Sequence, residues 1–115
     1  MSEHQGAPLH TYVFVRADLP LADQVVQVGH ACLEAGRRFE QPPTLGHVVV
    51  LSVPSQRELL SATARVRMAG IRCLVFSDPD LSILRQETAA CSEPVSADDR
   101  RVFRRFSMWR APRAS

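Results

Sequence analysis

Thr11-Tyr-Val-Phe-Val15, the link Arg16-Ala-Asp-Leu-Pro20 and then Ala22–Phe39, ADQVVQVGHACLEAGRRF, decide the fold class. The first run is continuously apolar or β-branched and reads as a buried strand. In the second, Ala22, Val25, Val26, Cys32, Leu33 and Phe39, with Gly29 and Gly36, recur at helical steps. This spacing predicts a helix that buries one stripe. Gln27 and His30 lie three residues apart and so share a flank of it. Asp18 is positioned to cap the helix, with Pro20 among its first residues. A strand feeding a helix through a short link is the place where α/β proteins hold ligands.

Downstream, the same alternation of elements repeats. His47-Val-Val-Val-Leu-Ser-Val53 is a β-branched run expected at the centre of a sheet, covered on both faces. Ser55 and Glu58 form a capping box at the start of a second helix, which stops at Ala69-Gly70. Ile71–Phe76 reads as a third strand and Thr88–Ser92 as a fourth, with the turn-forming Ser77-Asp-Pro-Asp-Leu-Ser82 after the third. Ser96-Ala-Asp-Asp99 opens a final helix whose buried contacts are Val102, Phe103 and Phe106. The order β-α-β-α-β-β-α predicts a single-domain, three-layer α/β/α sandwich with a mixed four-stranded sheet. The first two crossovers are right-handed and parallel, and strands three and four are antiparallel. Residues 1–10 are expected to form a flexible arm, 11–110 the domain, and 111–115 a frayed tail.

Composition narrows the chemistry. The 115 residues suffice for one domain with a modest core. No apolar stretch has the length of a membrane-spanning helix. The polar MSEHQGAPLH start matches neither a signal nor a transit peptide, so the expected location is cytoplasmic. A net charge of +2 does not by itself argue for nucleic acid, but all 14 basic residues are arginine. Any mechanism needing an ammonium side chain is thereby excluded. Cys32, Cys73 and Cys91 are dispersed without C-x-x-C spacing, which reads as buried free thiols and not as a zinc or redox motif.

Val13-Phe-Val-Arg-Ala-Asp-Leu19, then Gln27-Val-Gly-His-Ala31, then Ser77-Asp-Pro-Asp-Leu-Ser82, with Thr88-Ala and Glu93-Pro after it, resemble the type 2 peptidyl-tRNA hydrolases. The resemblance runs from Thr11 to Phe106. It implies hydrolysis of the ester joining a peptide to the 3′ ribose of tRNA, without metal or cofactor, often by a homodimer. Carried over by position, the family's catalytic Asp falls on Asp78, its Thr on Ser82 and its Gln on Gln27. The family's lysine has no counterpart, and the link before the helix is shorter than usual. Arg16 is the nearest cation in sequence; with His30, Arg37, Arg38 and Thr88 it completes the set expected to bind substrate. Asp78 and Asp80 beside Pro79 also suit a plain turn. The alternative function is a catalytically inactive relative that binds RNA or a protein partner.

Overall fold

A computed structural model describes residues 8–79 and 86–111 of the chain. The arm up to residue 7, Ser82 and the tail 112–115 lie outside the described residues. The elements are β1 (His10–Arg16), α1 (Leu21–Arg38), β2 (His47–Val53), α2 (Gln56–Met68), β3 (Cys73–Ser77), β4 (Glu87–Ser92), a 3₁₀ helix (Ala97–Phe103) and β5 (Ser107–Met108). The sheet is mixed, in the order β3-β4-β1-β2-β5. β1 and β2 run parallel from His10↔His47 to Arg16↔Val53. β4 is antiparallel to both β1 and β3. The C-terminal ends of β1, β2 and β3 therefore meet on one rim, where the N-termini of α1 and α2 also lie. Among the described residues no helix is long and apolar enough to cross a membrane.

Side-chain alternation along the strands sorts the core into two layers. Tyr12, Phe14, Leu51, Val53, Ala90 and Phe103 pack with Leu59, Ala62 and Val66 of α2. Val13, Ala89 and Cys91 pack on the other face with Ala31 and Ala35 of α1. The three-layer architecture follows. Ser55 Oγ accepts from the Glu58 backbone N–H at 3.3 Å, so the expected cap on α2 forms. Gly70, at φ 88°, takes the left-handed position that ends α2.

Five details differ from the sequence expectation. Among the described residues the sheet has five strands, because Ser107 and Met108 pair with Ser52 and Leu51. Two residues are too few to show a period. The last helix is 3₁₀, with Asp99 N–H bonding the Ser96 carbonyl and Arg104 N–H that of Arg101. Residues three apart eclipse in this form, which sets both Arg100 and Phe103 on Tyr12: Arg100 Nε lies 2.9 Å from the Tyr12 hydroxyl, and the Phe103 ring stacks at 3.8 Å. β1 is the buried central strand, whereas β2 is half open, since α1 packs over β4, β1 and β3 and leaves Val48 59% exposed.

The fourth and fifth differences concern α1. Pro20 occupies its N-cap without a side-chain capping bond, and Asp18 pairs with Arg16 instead. Its buried residues are Gln24, Gln27, Ala31 and Ala35, while Val25 is 61% and Leu33 71% exposed. The apolar stripe is centred about 140° around the helix from the buried face. The small Ala31 and Ala35, not Val25 and Val26, face β1 and β4, which lets the helix sit close to them. At the other end of the sheet β3 is an edge strand, and Arg67 Nε and Nη2 donate to its Cys73 carbonyl at 2.9 and 2.6 Å.

Candidate functional site

The rim holds a buried polar chain. Gln27 Nε2, from the second turn of α1, donates to Asp78 Oδ2 at 2.7 Å, just past the end of β3. Thr88 Oγ1, from β4, donates to Gln27 Oε1 at 2.6 Å. Gln27 is fully buried, Thr88 nearly so, and Asp78 is 7% exposed. A carboxylate only accepts hydrogen bonds, so the amide nitrogen of Gln27 must face Asp78 and its oxygen must face Thr88. The chain is thus polarised in one direction, each member donating toward the carboxylate, in surroundings where hydrogen bonds reinforce one another.

Thr88 reaches this chain through an irregularity. β3 and β4 pair Phe76 with Ala89 but Ser77 with Glu87, so Thr88 is the extra residue of a bulge. In an unbroken ladder Thr88 would face α2, as Ala90 does. A bulge re-aims one side chain without disturbing the rest of the strand, and here it turns the Thr88 hydroxyl toward Gln27. No local sequence signal marks this.

The structure brings only some of the expected site residues together. Asp78, Gln27 and Thr88 come together. His30 borders them, exposed, with its ring stacked on Phe76 at 5.3 Å and 18°. Arg37 and Arg38 do not join: they lie ten and eleven residues after Gln27, about 15 Å along α1, and both bind Glu34 at 2.9 and 3.0 Å. Ser82 is outside the described residues, so its place relative to Asp78 is not part of this geometry.

Arg16 is committed elsewhere. Alternation from Tyr12 and Phe14 puts it on the α2 side of the sheet. Its Nε and Nη2 grip Asp18 at 2.9 Å each, while Nη1 donates to Gln86 Oε1 at 2.9 Å and to the Glu87 carbonyl at 3.1 Å. The same nitrogen approaches Gln56 Oε1 at 3.5 Å. Bidentate pairing of this kind fixes the guanidinium plane. The Asp18 carboxyl is held below its ordinary pKa, chiefly by the Arg16 hydrogen bonds and despite partial burial. Arg16 thus ties the end of β1 to the starts of α2 and β4.

Gln24 is a support that the helical pattern conceals. Its Nε2 donates to the carbonyls of Leu19 at 2.7 Å and Ala17 at 3.3 Å, which pins the link to α1. Its Oε1 accepts from Trp109 Nε1 at 2.7 Å, coupling the link to the segment after β5. The three-residue spacing of Gln24 and Gln27, which puts them on one flank of α1, was the available signal. Two glutamines on one face indicate buried amides with partners when that face is the inner one.

The arrangement presents one carboxylate near the surface, oriented from behind by an amide that is itself oriented by a hydroxyl. Such a group can position a water molecule and take its proton. Among the described residues no three His, Cys, Asp or Glu side chains converge to hold a metal ion. No family model matches the chain, and no curated protein matches it.

Proposed function

We propose that this chain hydrolyses the ester between a peptide and the 3′ ribose of tRNA. The observation that carries the reading is the 2.7 Å bond from Gln27 to Asp78 at the meeting point of α1 and β3. It matches the order in which the resembling family sets its glutamine and aspartate. Asp78 acts as the base: it orients a water, accepts its proton as the oxygen attacks the ester carbonyl, and returns a proton to the departing ribose oxygen. Gln27 and Thr88 are positioning residues that hold the carboxylate in one rotamer. Backbone N–H groups at the first turn of α1, around Leu21–Asp23, supply partial positive charge toward an oxyanion.

One observation favours a second reading, RNA binding without turnover. The family's lysine is missing, and the nearest cation, Arg16, spends its donors on Asp18, Gln86 and Glu87. A purified sample incubated with N-acetylaminoacyl-tRNA separates the two. The hydrolase reading expects release of the acylated amino acid, reduced about 10²–10⁴-fold in Asp78→Asn. That variant keeps an acceptor for Gln27 but lacks the base. Tight, salt-sensitive tRNA binding with release no faster than the spontaneous rate overturns the hydrolase and establishes the binding protein.

A further inference from the structure

We propose that the cleft between α2 and the 3₁₀ helix is a docking groove for the phosphate backbone of RNA. Arg65 lines its α2 wall, and Arg101, Arg104 and Arg105 line the wall across from it. Small side chains such as Ser61 and Ala64 leave about 960 Å³ between the walls, room for a stretch of backbone and not merely for one ion. The cleft runs along the second half of α2, away from the rim that holds Asp78.

Local geometry gathers these cations. Ser61, Ala64 and Arg65 recur at three- and four-residue steps on the outer face of α2, while Leu59, Ala62 and Val66 take the inner one. On the other wall, the 3₁₀ repeat that sends Arg100 to Tyr12 leaves Arg101 and Arg104 together on the next edge, joined by the Arg104 N–H to Arg101 carbonyl bond. They stand about 6 Å apart along it. That is far enough to meet different phosphates of one strand, which follow at about 3.4 Å along a duplex.

Pairing separates this cleft from a second arginine-rich one beside the start of β3. There Arg38 binds Glu34, Arg72 binds Glu93, and Arg67 binds the Cys73 carbonyl. Among the described residues, none of Arg65, Arg101, Arg104 and Arg105 has an ion-pair partner, and no carboxylate lines their cleft. Asp98, one 3₁₀ turn before Arg101, and Glu58, two turns before Arg65, stand outside it. Four exposed like charges without a counter-charge repel one another, and a polyanion between them relieves this. Guanidinium forks match phosphate oxygens in pairs. Cations on both walls neutralise a strand lying between them, whereas a flat lipid surface meets only the rims. Neither wall is a sheet edge, so an acidic peptide finds no ladder to extend. The assignment rests on this cleft and not on hydrolysis at Asp78.

The test is equilibrium binding of a fluorescein-labelled RNA hairpin to the full chain, followed by anisotropy across a salt series. Four phosphate contacts give a log–log salt slope of about −3.6, so affinity falls about 10²-fold between about 50 and 200 mM salt. Arg101→Gln/Arg104→Gln is expected to cut the slope to about −1.8. Arg65→Gln/Arg105→Gln, taken from both walls, should do the same. Arg72→Gln/Arg110→Gln removes equal charge outside the cleft and should keep the parent's slope; all six side chains are exposed, so the fold is spared. Failure to bind, binding without salt dependence, or an equal loss in the Arg72 and Arg110 variant overturns the proposal. So does a preference for polyglutamate or phosphatidylserine vesicles over RNA. Ester hydrolysis is read separately: RNA binding at the cleft without turnover leaves this proposal standing and removes the hydrolase.

Discussion

The two faces of the sheet are built from different materials. Under α2 lie Phe14, Leu51, Leu59, Val66 and Phe103, tightened by the Tyr12–Phe103 stack and by Phe106 set edge-on to Phe14 at 4.9 Å. Thr63, a polar residue buried on α2, bonds the Leu59 carbonyl of its own helix. Under α1 the apolar layer is mostly alanine and cysteine, and the helix places two buried glutamines toward the sheet and the link. Bulk on one side supplies burial energy. Small side chains on the other bring backbone close to backbone, and the polar chain ending at Asp78 runs through that narrower layer. Bulk burial and the polar chain are thereby placed on opposite faces of the same strands.

Substitutions can break this division. The largest effect is expected from Asp78→Asn, which lowers hydrolysis about 10²–10⁴-fold yet leaves the urea midpoint near that of the parent. Next is Phe103→Ala on the α2 face, which is expected to cost about 3–5 kcal/mol in chemical denaturation while the folded fraction keeps its turnover per molecule. An activity loss in Phe103→Ala beyond its unfolded fraction would show that the two faces are coupled. Gln27→Leu should cost about 1–3 kcal/mol by leaving the buried Thr88 hydroxyl without its acceptor and removing the donor to Asp78, and it should lower turnover too. It is the one α1-face change expected to register in both assays.

The smallest effect is a pH dependence. The folded pKa of Asp18 lies below its ordinary 3.8, so the Arg16 pair contributes its full stability above that value. The contribution disappears as pH falls through the lower folded value, and Asp18→Asn should flatten this part of the acid limb. Because Asp18 is 41% exposed, solvent screens the pair and keeps the change small.

How much of this was legible in the sequence depends on the range of the cause. Strand runs, the Ser55–Glu58 cap and the parallel and antiparallel pairings follow from local pattern and held. The inner face of α1 did not, since periodicity reports where apolar residues lie but not which way the helix is rolled. Val25 and Leu33 marked a stripe that mostly faces away from the sheet, with only its Cys32 and Phe39 edge packed on the core, because α1 leans toward β4 and leaves β2 uncovered. At the site, Asp78 and Gln27 could be paired only through resemblance, as they stand 51 residues apart. Thr88 depends on a bulge, and the face of Arg16 on the strand count from Tyr12. Neither leaves a trace in residue type.

The fork of Arg67 on the Cys73 carbonyl bears on how copies of this protein behave when crowded. β3 reads Cys-Leu-Val-Phe-Ser, an uncharged and mostly apolar strand at the border of the sheet. Strands of this composition invite a second copy to extend the sheet, the first step toward fibres. The guanidinium already occupies an acceptor that an incoming strand would use. It also sets a positive charge on the approach, so two copies meeting edge to edge across a two-fold axis would bring like charges together. One arginine, bonded to its own backbone, keeps the sheet finite.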